Sequence, residues 1–306
     1  MIACLGEALI DFKGSSGLHF SGFYGGSPYN VAIAAARLGA KTSFIGQVSS
    51  DFFGQSLRRY LQQNSVDTTY LLEHPAPSTL GFVTIDSHNQ THWSFMAQGA
   101  ADTLYDPQPR PNLDQQYLQF GSISLLHDPT RASILELIKA HHQRSVIVLD
   151  PNCRPSLTPD RQAYLQNLGT WLEYVHIIKL SDQDLAWLEP NKTHKELADA
   201  WLARGLQLVV VTKGERGSSF YLPDAPPLEI AATPAHVVDT VGAGDTFTAA
   251  LMVGLLEAGF ERHNLGQIDT ASLEPIARFA SQAAALNCTK SGCQPPLRAE
   301  ISRAEI

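Results

Sequence analysis

The sequence predicts an α/β protein with a doubly wound, mostly parallel sheet into which a small β-sheet is inserted. Short β-branched runs recur along the chain, and segments with helical spacing lie between them, the pattern of a parallel sheet covered on both faces. Two stretches in the first third alternate instead, which marks strands of a different kind.

In chain order, "IACL" at 2 to 5 is the first core strand. The Gly-rich, partly alternating "FKGSSGLHFSGFYGG" at 12 to 26 suggests part of the inserted sheet. In "GGSPYNVAIAAARLGA" a helix is expected with Ser27 as its cap and Pro28 at its first position. Val31, Ala34, Ala35 and Leu38 line one face of it and Gly39 closes it. "SFIGQV" at 43 to 48 returns to the core. Residues 78 to 96 read as an antiparallel hairpin, two alternating runs separated by "DSHN". "VIVLD" at 146 to 150, "VHIIKL" at 175 to 180 and "LVVVT" at 208 to 212 supply further core strands. No repeat or linker divides the chain, so one domain over residues 1–306 is expected, with lid segments at about 12–26 and 78–100.

Bulk properties narrow the function. A length of 306 residues suits one large domain. A formal charge of −8 argues against nucleic-acid partners, which need a positive face. The N-terminus has no basic segment and its apolar run is broken by Glu7 and Asp11, unlike a secretory signal. No window reaches a membrane span, so no membrane partner and a cytoplasmic location are expected. Cys4, Cys153, Cys288 and Cys293 form no C-x-x-C pair, and free thiols are expected rather than a zinc site.

The chemistry concentrates in "VVDTVGAGDTFTAALMVGLL", residues 237 to 256. From Asp245, Phe247, Leu251, Gly254, Leu255 and Ala258 keep a helical period, and Gly259 follows as a stop. This places a helix N-terminus at Gly242 and Gly244, glycines that let successive amides point into one concavity, which is an anion site. Asp245 beside it suits a base that takes the proton of an attacking hydroxyl as a phosphoryl group is transferred. Spacing alone equally allows a plain turn with Asp245 as an N-cap. Gly25 and Gly26, before the first helix, open a second place for close ligand approach or a simple tight turn. Walker, Rossmann, nucleophile-elbow and H-E-x-x-H motifs are all absent from the sequence.

These residues carry a resemblance. "DTVGAGDTFTAALMVGLL" resembles the C-terminal signature of the ribokinase/PfkB family of sugar kinases, and "GGSPYNVAIAAARLGAKTSFIGQVSSDFFG", residues 25 to 54, resembles its N-terminal signature. The resemblance implies a ribokinase-like α/β domain with a small β lid, using ATP and Mg²⁺ to phosphorylate a primary sugar hydroxyl. It assigns Asp245 as base and the Gly242, Ala243 and Gly244 amides as the anion hole. Through "VTKGERGS" it places Thr212, Lys213, Gly214 and Gly217 beside ATP. Through "KLSDQDL", where the family usually has N-x-x-E, it sets Ser181 and Asp184 to organise Mg²⁺ and phosphates, the alternative being a helix-capping cluster. Asp11, Gly25, Gly26 and Asn30 match the sugar contacts. A monovalent cation, K⁺, is implied at Asp239, Val241, Asn287, Lys290 and Gly292, mostly through backbone carbonyls.

"QFGSISLLHDPTRAS" at 119 to 133 and "LDPNCRPSL" at 149 to 157 resemble fructokinases, with 2-keto-3-deoxygluconate kinases and nucleoside or ribose kinases as near relatives. Fructose, giving fructose 6-phosphate, is the expected acceptor, and Arg154 a residue for sugar or phosphate or a structural ion-pair partner. Ala97 stands where many fructokinases have an arginine, which points to a neutral acceptor. A catalytically silent sugar or nucleotide sensor is the reading from another class. A homodimer is expected from exposed lid edges.

Overall fold

The computed structural model describes residues 1–16, 18–85, 91–158 and 160–301. Its strands are β1 (Ile2–Leu5), β2 (Leu9–Ser16), β3 (His19–Gly25), β4 (Thr42–Ser49), β5 (Leu71–His74), β6 (Leu80–Ile85), β7 (Thr91–Met96), β8 (Tyr117–Gly121), β9 (Val146–Asp150), β10 (Ile177–Ser181), β11 (Leu208–Thr212), β12 (Ser218–Tyr221) and β13 (Leu228–Ile230). The helices are α1 (Ser27–Arg37), α2 (Phe52–Gln63), α3 (Thr130–His141), α4 (Arg161–Trp171), α5 (Asp182–Leu188), α6 (His194–Leu202), α7 (Ala243–Glu257), α8 (Thr270–Cys288) and α9 (Arg298–Ile301).

Nine strands form the large sheet, in the order β13-β12-β11-β10-β9-β8-β1-β4-β5. The strands from β11 through β5 run parallel, and β12 and β13 are antiparallel additions at one edge. Because successive side chains point to opposite faces, each central strand feeds two cores. Ile2, Cys4, Val146, Val148 and Ile177 pack with α1, α7 and α8. Ala3, Leu5, Ile147, Leu149, Ile178 and Leu180 pack with α3, α4 and α6 on the other side. Each large apolar residue removed from water contributes about 1.5–3 kcal/mol, which is why these runs are rich in Val, Ile and Leu.

Chain order reverses at the β1/β8 neighbour pair, since β4 and β5 lie to one side of β1 and β8 to β11 on the other. Open parallel sheets place ligands beyond the carboxyl ends of the strands at such a reversal. The smaller sheet, in the order β3-β2-β6-β7, comes from the two segments expected to leave the α/β layer. β6 and β7 pair antiparallel up to Ile85 and Thr91. The "DSHN" turn expected between them falls within 86–90, outside the described residues.

The start of α1 corrects an expectation. Ser27 is not its cap: Gly26 holds the N-cap position at φ 104°, and Ser27 and Pro28 are the first two helical residues. The reason is steric and chemical. A Cβ at position 26 would lie 2.6 Å from the Glu7 carbonyl oxygen, and the shift leaves the Ser27 amide to donate to Glu7 Oε1 at 3.0 Å. The strand expected at 175 to 180 begins two residues later, at Ile177.

Candidate active site

Helix α7 begins at Ala243, with Gly242 as its N-cap in the left-handed region at φ 76°. Its residues are apolar almost all round and buried from Asp245 through Leu255, so the helix runs through the core and can end its N-terminus only at an internal opening. The Ala243 amide donates to the Thr240 carbonyl at 3.2 Å. The Gly242, Gly244 and Asp245 amides have no hydrogen-bond acceptor among the described residues. A substituent on Gly242 would strike Cys293 Sγ at 2.2 Å. This position is therefore closed to other residues by space as well as by backbone angle.

Asp245 is not an N-cap: it stands inside the first turn and its carboxylate faces α1. Ser27 Oγ donates to Oδ1 at 2.6 Å and Asn30 Nδ2 to Oδ2 at 2.8 Å. The residue is 7% exposed. Burial raises its pKa above the ordinary carboxylate value, while the two donors and the Lys179 and Arg154 charges pull it back. Two donors on separate oxygens fix the plane of the carboxylate and leave a lone pair on each for a substrate proton.

Beneath the helix terminus sits a lysine that the sequence reading passed over. Lys179 is 4% exposed, shares its sheet face with Ile177, and so points toward α7. A Cβ on Gly244 would lie 3.0 Å from its Nζ. The ammonium donates to Asp150 Oδ2 at 2.9 Å, and Thr248 Oγ1 donates to the same oxygen at 3.1 Å. Asp150 Oδ1 is buried with no hydrogen-bond partner among the described residues. A charged residue in an apolar strand, "VHIIKL", was the signal, because lysine is almost never fully buried without a task.

A cavity of about 250 Å³ opens in front of these groups, at the carboxyl ends of β1, β8 and β9. Asp11, Gly26, Asn30, Arg154, Lys179, Gly242, Gly244 and Asp245 line it, together with Glu7 and Asn152. Gly25 stands behind: a Cβ there would fall 2.3 Å from Asp11 Oδ2, and one on Gly81 in β6 2.6 Å from Oδ1. The two glycines thus make room for the Asp11 carboxylate between neighbouring strands. Burial pushes the Asp11 carboxyl up to about 6 despite the Arg154 charge. Arg154 Nη1 donates to Asn152 Oδ1 at 2.6 Å and to two backbone carbonyls, leaving its other donors unassigned. Glu7, read from sequence only as a break in an apolar run, accepts from the Ser27 and Ser124 amides and ties the end of β1 to α1.

A second cavity, about 850 Å³, lies on the other side of the α7 terminus. Thr212, Gly214 and Gly217 line it beside Thr233, Pro234, Phe247 and Ala284. Thr240 and Gly244 belong to the walls of both cavities. Lys213 is directed elsewhere, its ammonium held by Glu229 at 2.6 Å and Ser219 Oγ at 2.8 Å.

Ser181 and Asp184 form the capping box of α5. Asp184 Oδ2 accepts from the Ser181 amide and hydroxyl, and Oδ1 from the Cys153 amide at 2.7 Å. Asp239, Val241, Asn287 and Gly292 come together through direct bonds, and the Lys290 ammonium pairs with Glu300 at 2.9 Å. The four cysteines are free, with Cys4 and Cys153 buried.

Comparison with known proteins accords with this geometry. The model of the pfkB family carbohydrate kinases matches residues 1–300. A fructokinase of Rhizobium leguminosarum bv. trifolii is 36% identical over 263 residues, covering 83% of this chain and 79% of its own. Among solved structures, a fructokinase with bound ATP from Xylella fastidiosa superposes with a TM-score of 0.91 at 27% identity, over 98% of this chain and 96% of the other. A double mutant of the fructokinase from Vibrio cholerae O395, in a form with fructose, ADP and potassium ion bound, gives 0.87 at 25% identity, over 98% and 96%. The large mostly parallel sheet with its smaller companion is the ribokinase-like fold, and the chain belongs to the pfkB family of carbohydrate kinases.

Proposed function

We propose that the protein transfers the γ-phosphoryl group of ATP to the primary hydroxyl of a neutral sugar, with fructose the acceptor the comparisons favour and fructose 6-phosphate the product. The observation that carries this reading is the position of Asp245 at an open helix terminus between a small charged cavity and a larger, mainly apolar one. Sugar hydroxyls suit the first, where Asp11 and Asn30 offer acceptors and donors. An adenine ring suits the second.

In the proposed reaction Asp245 accepts the proton of the acceptor hydroxyl as its oxygen bonds to the γ-phosphorus. The bond from that phosphorus to the β,γ-bridging oxygen breaks, and ADP leaves. Charge on the transferring group falls between the free Gly242 and Gly244 amides, the positive end of α7 and the Lys179 ammonium. The Ala243 amide, turned to Thr240, is the weakest member of the expected trio. Mg²⁺ would neutralise phosphate charge. Asp150, with its unpartnered oxygen, and Asp184 Oδ1, which among the described residues accepts only from the Cys153 amide, fit such an ion or its water. The smaller sheet is the candidate lid that excludes water.

Ala97, Asp11 and Asp245 together disfavour an acidic acceptor such as 2-keto-3-deoxygluconate. A silent sensor is disfavoured by a carboxylate held by two donors in front of an open anion site. For the expected homodimer, the edges β3 and β7 of the smaller sheet offer pairing surface. ADP release measured with fructose, ribose, 2-keto-3-deoxygluconate and adenosine tests the proposal. Fructose should give the highest kcat/KM, and turnover on none of the four would overturn it.

A further inference from the structure

Strand β2 carries two charged side chains on one face. Asp11 and Lys13 are two residues apart and therefore point the same way. Asp11 enters the acceptor cavity, and Lys13 reaches past it to the loop that leads into α7. Its Nζ lies 2.6 Å from Asp239 Oδ2. The same oxygen accepts from the Gly292 amide at 3.0 Å, and Oδ1 accepts from the Val241 amide at 3.1 Å. Asp239 is 10% exposed and Lys13 40%.

Asp239 also carries the one carboxylate in the set expected to hold K⁺. The carbonyls of Val241 and Asn287 already accept hydrogen bonds within the protein. Asn287 Nδ2 donates to the Val241 carbonyl at 2.8 Å, Asn287 Oδ1 accepts from the Gln294 amide at 3.0 Å, and the Lys290 amide donates to the Asn287 carbonyl at 3.2 Å. A potassium ion on Asp239 would meet an ammonium already on that carboxylate, and like charges at such range repel. The residues present do not fit the expected ion.

We infer that Lys13 is the built-in cation of this site, a positioning residue whose ammonium replaces K⁺ at Asp239 and holds the 239–242 loop in the shape that opens the α7 anion site. Phosphotransfer then proceeds without an added monovalent cation. This rests on the proposed kinase reaction, and one arm of its test does not depend on turnover.

The test compares KCl with choline chloride at constant ionic strength. For the unaltered protein, with ATP, Mg²⁺ and the best sugar of the panel, rates in the two salts should agree within about twofold, and its Tm should not distinguish them. Lys13→Met should lose roughly tenfold or more in choline chloride and recover most of it in KCl, with a Tm several degrees higher in KCl. Lys13→Arg should stay indifferent to K⁺. A rise of about tenfold or more on adding KCl to the unaltered protein would overturn the inference. So would a Lys13→Met protein that is unaffected, or one whose loss KCl neither rescues nor stabilises. If that variant does not fold, the salt comparison on the unaltered protein decides alone. A protein inactive on every sugar would sink the kinase reaction, while its Tm in the two salts, beside that of Lys13→Met, would still read the cation replacement.

Discussion

The two cavities that meet at the α7 terminus are built from opposite materials. The smaller gathers Glu7, Asp11, Arg154, Lys179 and Asp245, all held by specific partners or by glycines that make room for them. The larger is walled by Ala232, Pro234, Phe247, Ala284 and the backbone of Gly214 and Gly217, with Glu215 its only carboxylate among the described residues. Under the proposed reaction, the side that handles a proton and a developing charge needs fixed side chains, whereas the side that takes a flat ring needs only shape and backbone. Substitutions should therefore be severe on the first side and graded on the second.

The sharpest way to break this contrast is Asp245→Asn. It keeps the size and the Ser27 contact but removes proton acceptance, and kcat should fall by on the order of 10²–10⁴ with ATP binding retained. A variant of near-normal kcat would remove the base from Asp245. Next comes Lys179→Met, which withdraws one buried charge from the transferring phosphoryl group. Here kcat should fall roughly 10²–10³-fold. Because removing one partner of a buried pair costs about 3–5 kcal/mol, kinetics belong below a melting temperature fixed first by circular dichroism. Loss of stability with kcat intact would make Lys179 structural only.

Asp11→Asn sharpens the contrast in a second dimension. The sugar KM should rise about 10–100-fold with little change in kcat, since a hydrogen bond to a charged group contributes about 1.5–3 kcal/mol. The folded Asp11 carboxyl sits near 6 against an ordinary 3.8. Its contribution to stability is therefore complete below pH 3.8 and is lost as pH rises through about 6. The Asn variant escapes that loss, so near pH 7.5 it should be the more stable by roughly 1–3 kcal/mol, an advantage that vanishes near pH 4. The acid limb of kcat/KM, carried by Asp11 and Asp245 together, should drop from two protons to one. An unchanged limb would contradict the shifted carboxyl. The smallest effect is expected on the apolar side. Lys213→Ala, whose ammonium is turned to Glu229 and Ser219, should change the KM for ATP by under about threefold.

Much of the fold was legible, because its signals are local. The parallel strands announce themselves as short apolar runs, α7 by its period after Gly-Ala-Gly-Asp, and the smaller sheet by alternation. The short strands β5, β12 and β13 escaped, since each mixes polar and apolar residues over only three or four positions. β8, "YLQFG", hides a fully buried glutamine, Gln119, inside an apolar run. In the candidate site, Asp245, Asn30 and Asp11 were readable through motif and resemblance. Lys179 was not singled out, because its meaning depends on which sheet face it occupies and on Gly244 above it. Ser27 was misread because its amide and hydroxyl belong to Glu7 and Asp245 rather than to its own helix. Asp184 shows the converse: a residue expected to serve phosphates is drawn into a local capping box, a pattern short-range spacing does describe.

The carboxylate at 245 takes its two donors from residues 218 and 215 positions earlier in the chain. During synthesis, the first four-fifths of the polypeptide can leave the ribosome and fold much of its sheet while this centre does not yet exist. With Asp245 as the proposed base, a nascent or truncated product would have no means of consuming the cell's energy currency until the closing helix docks.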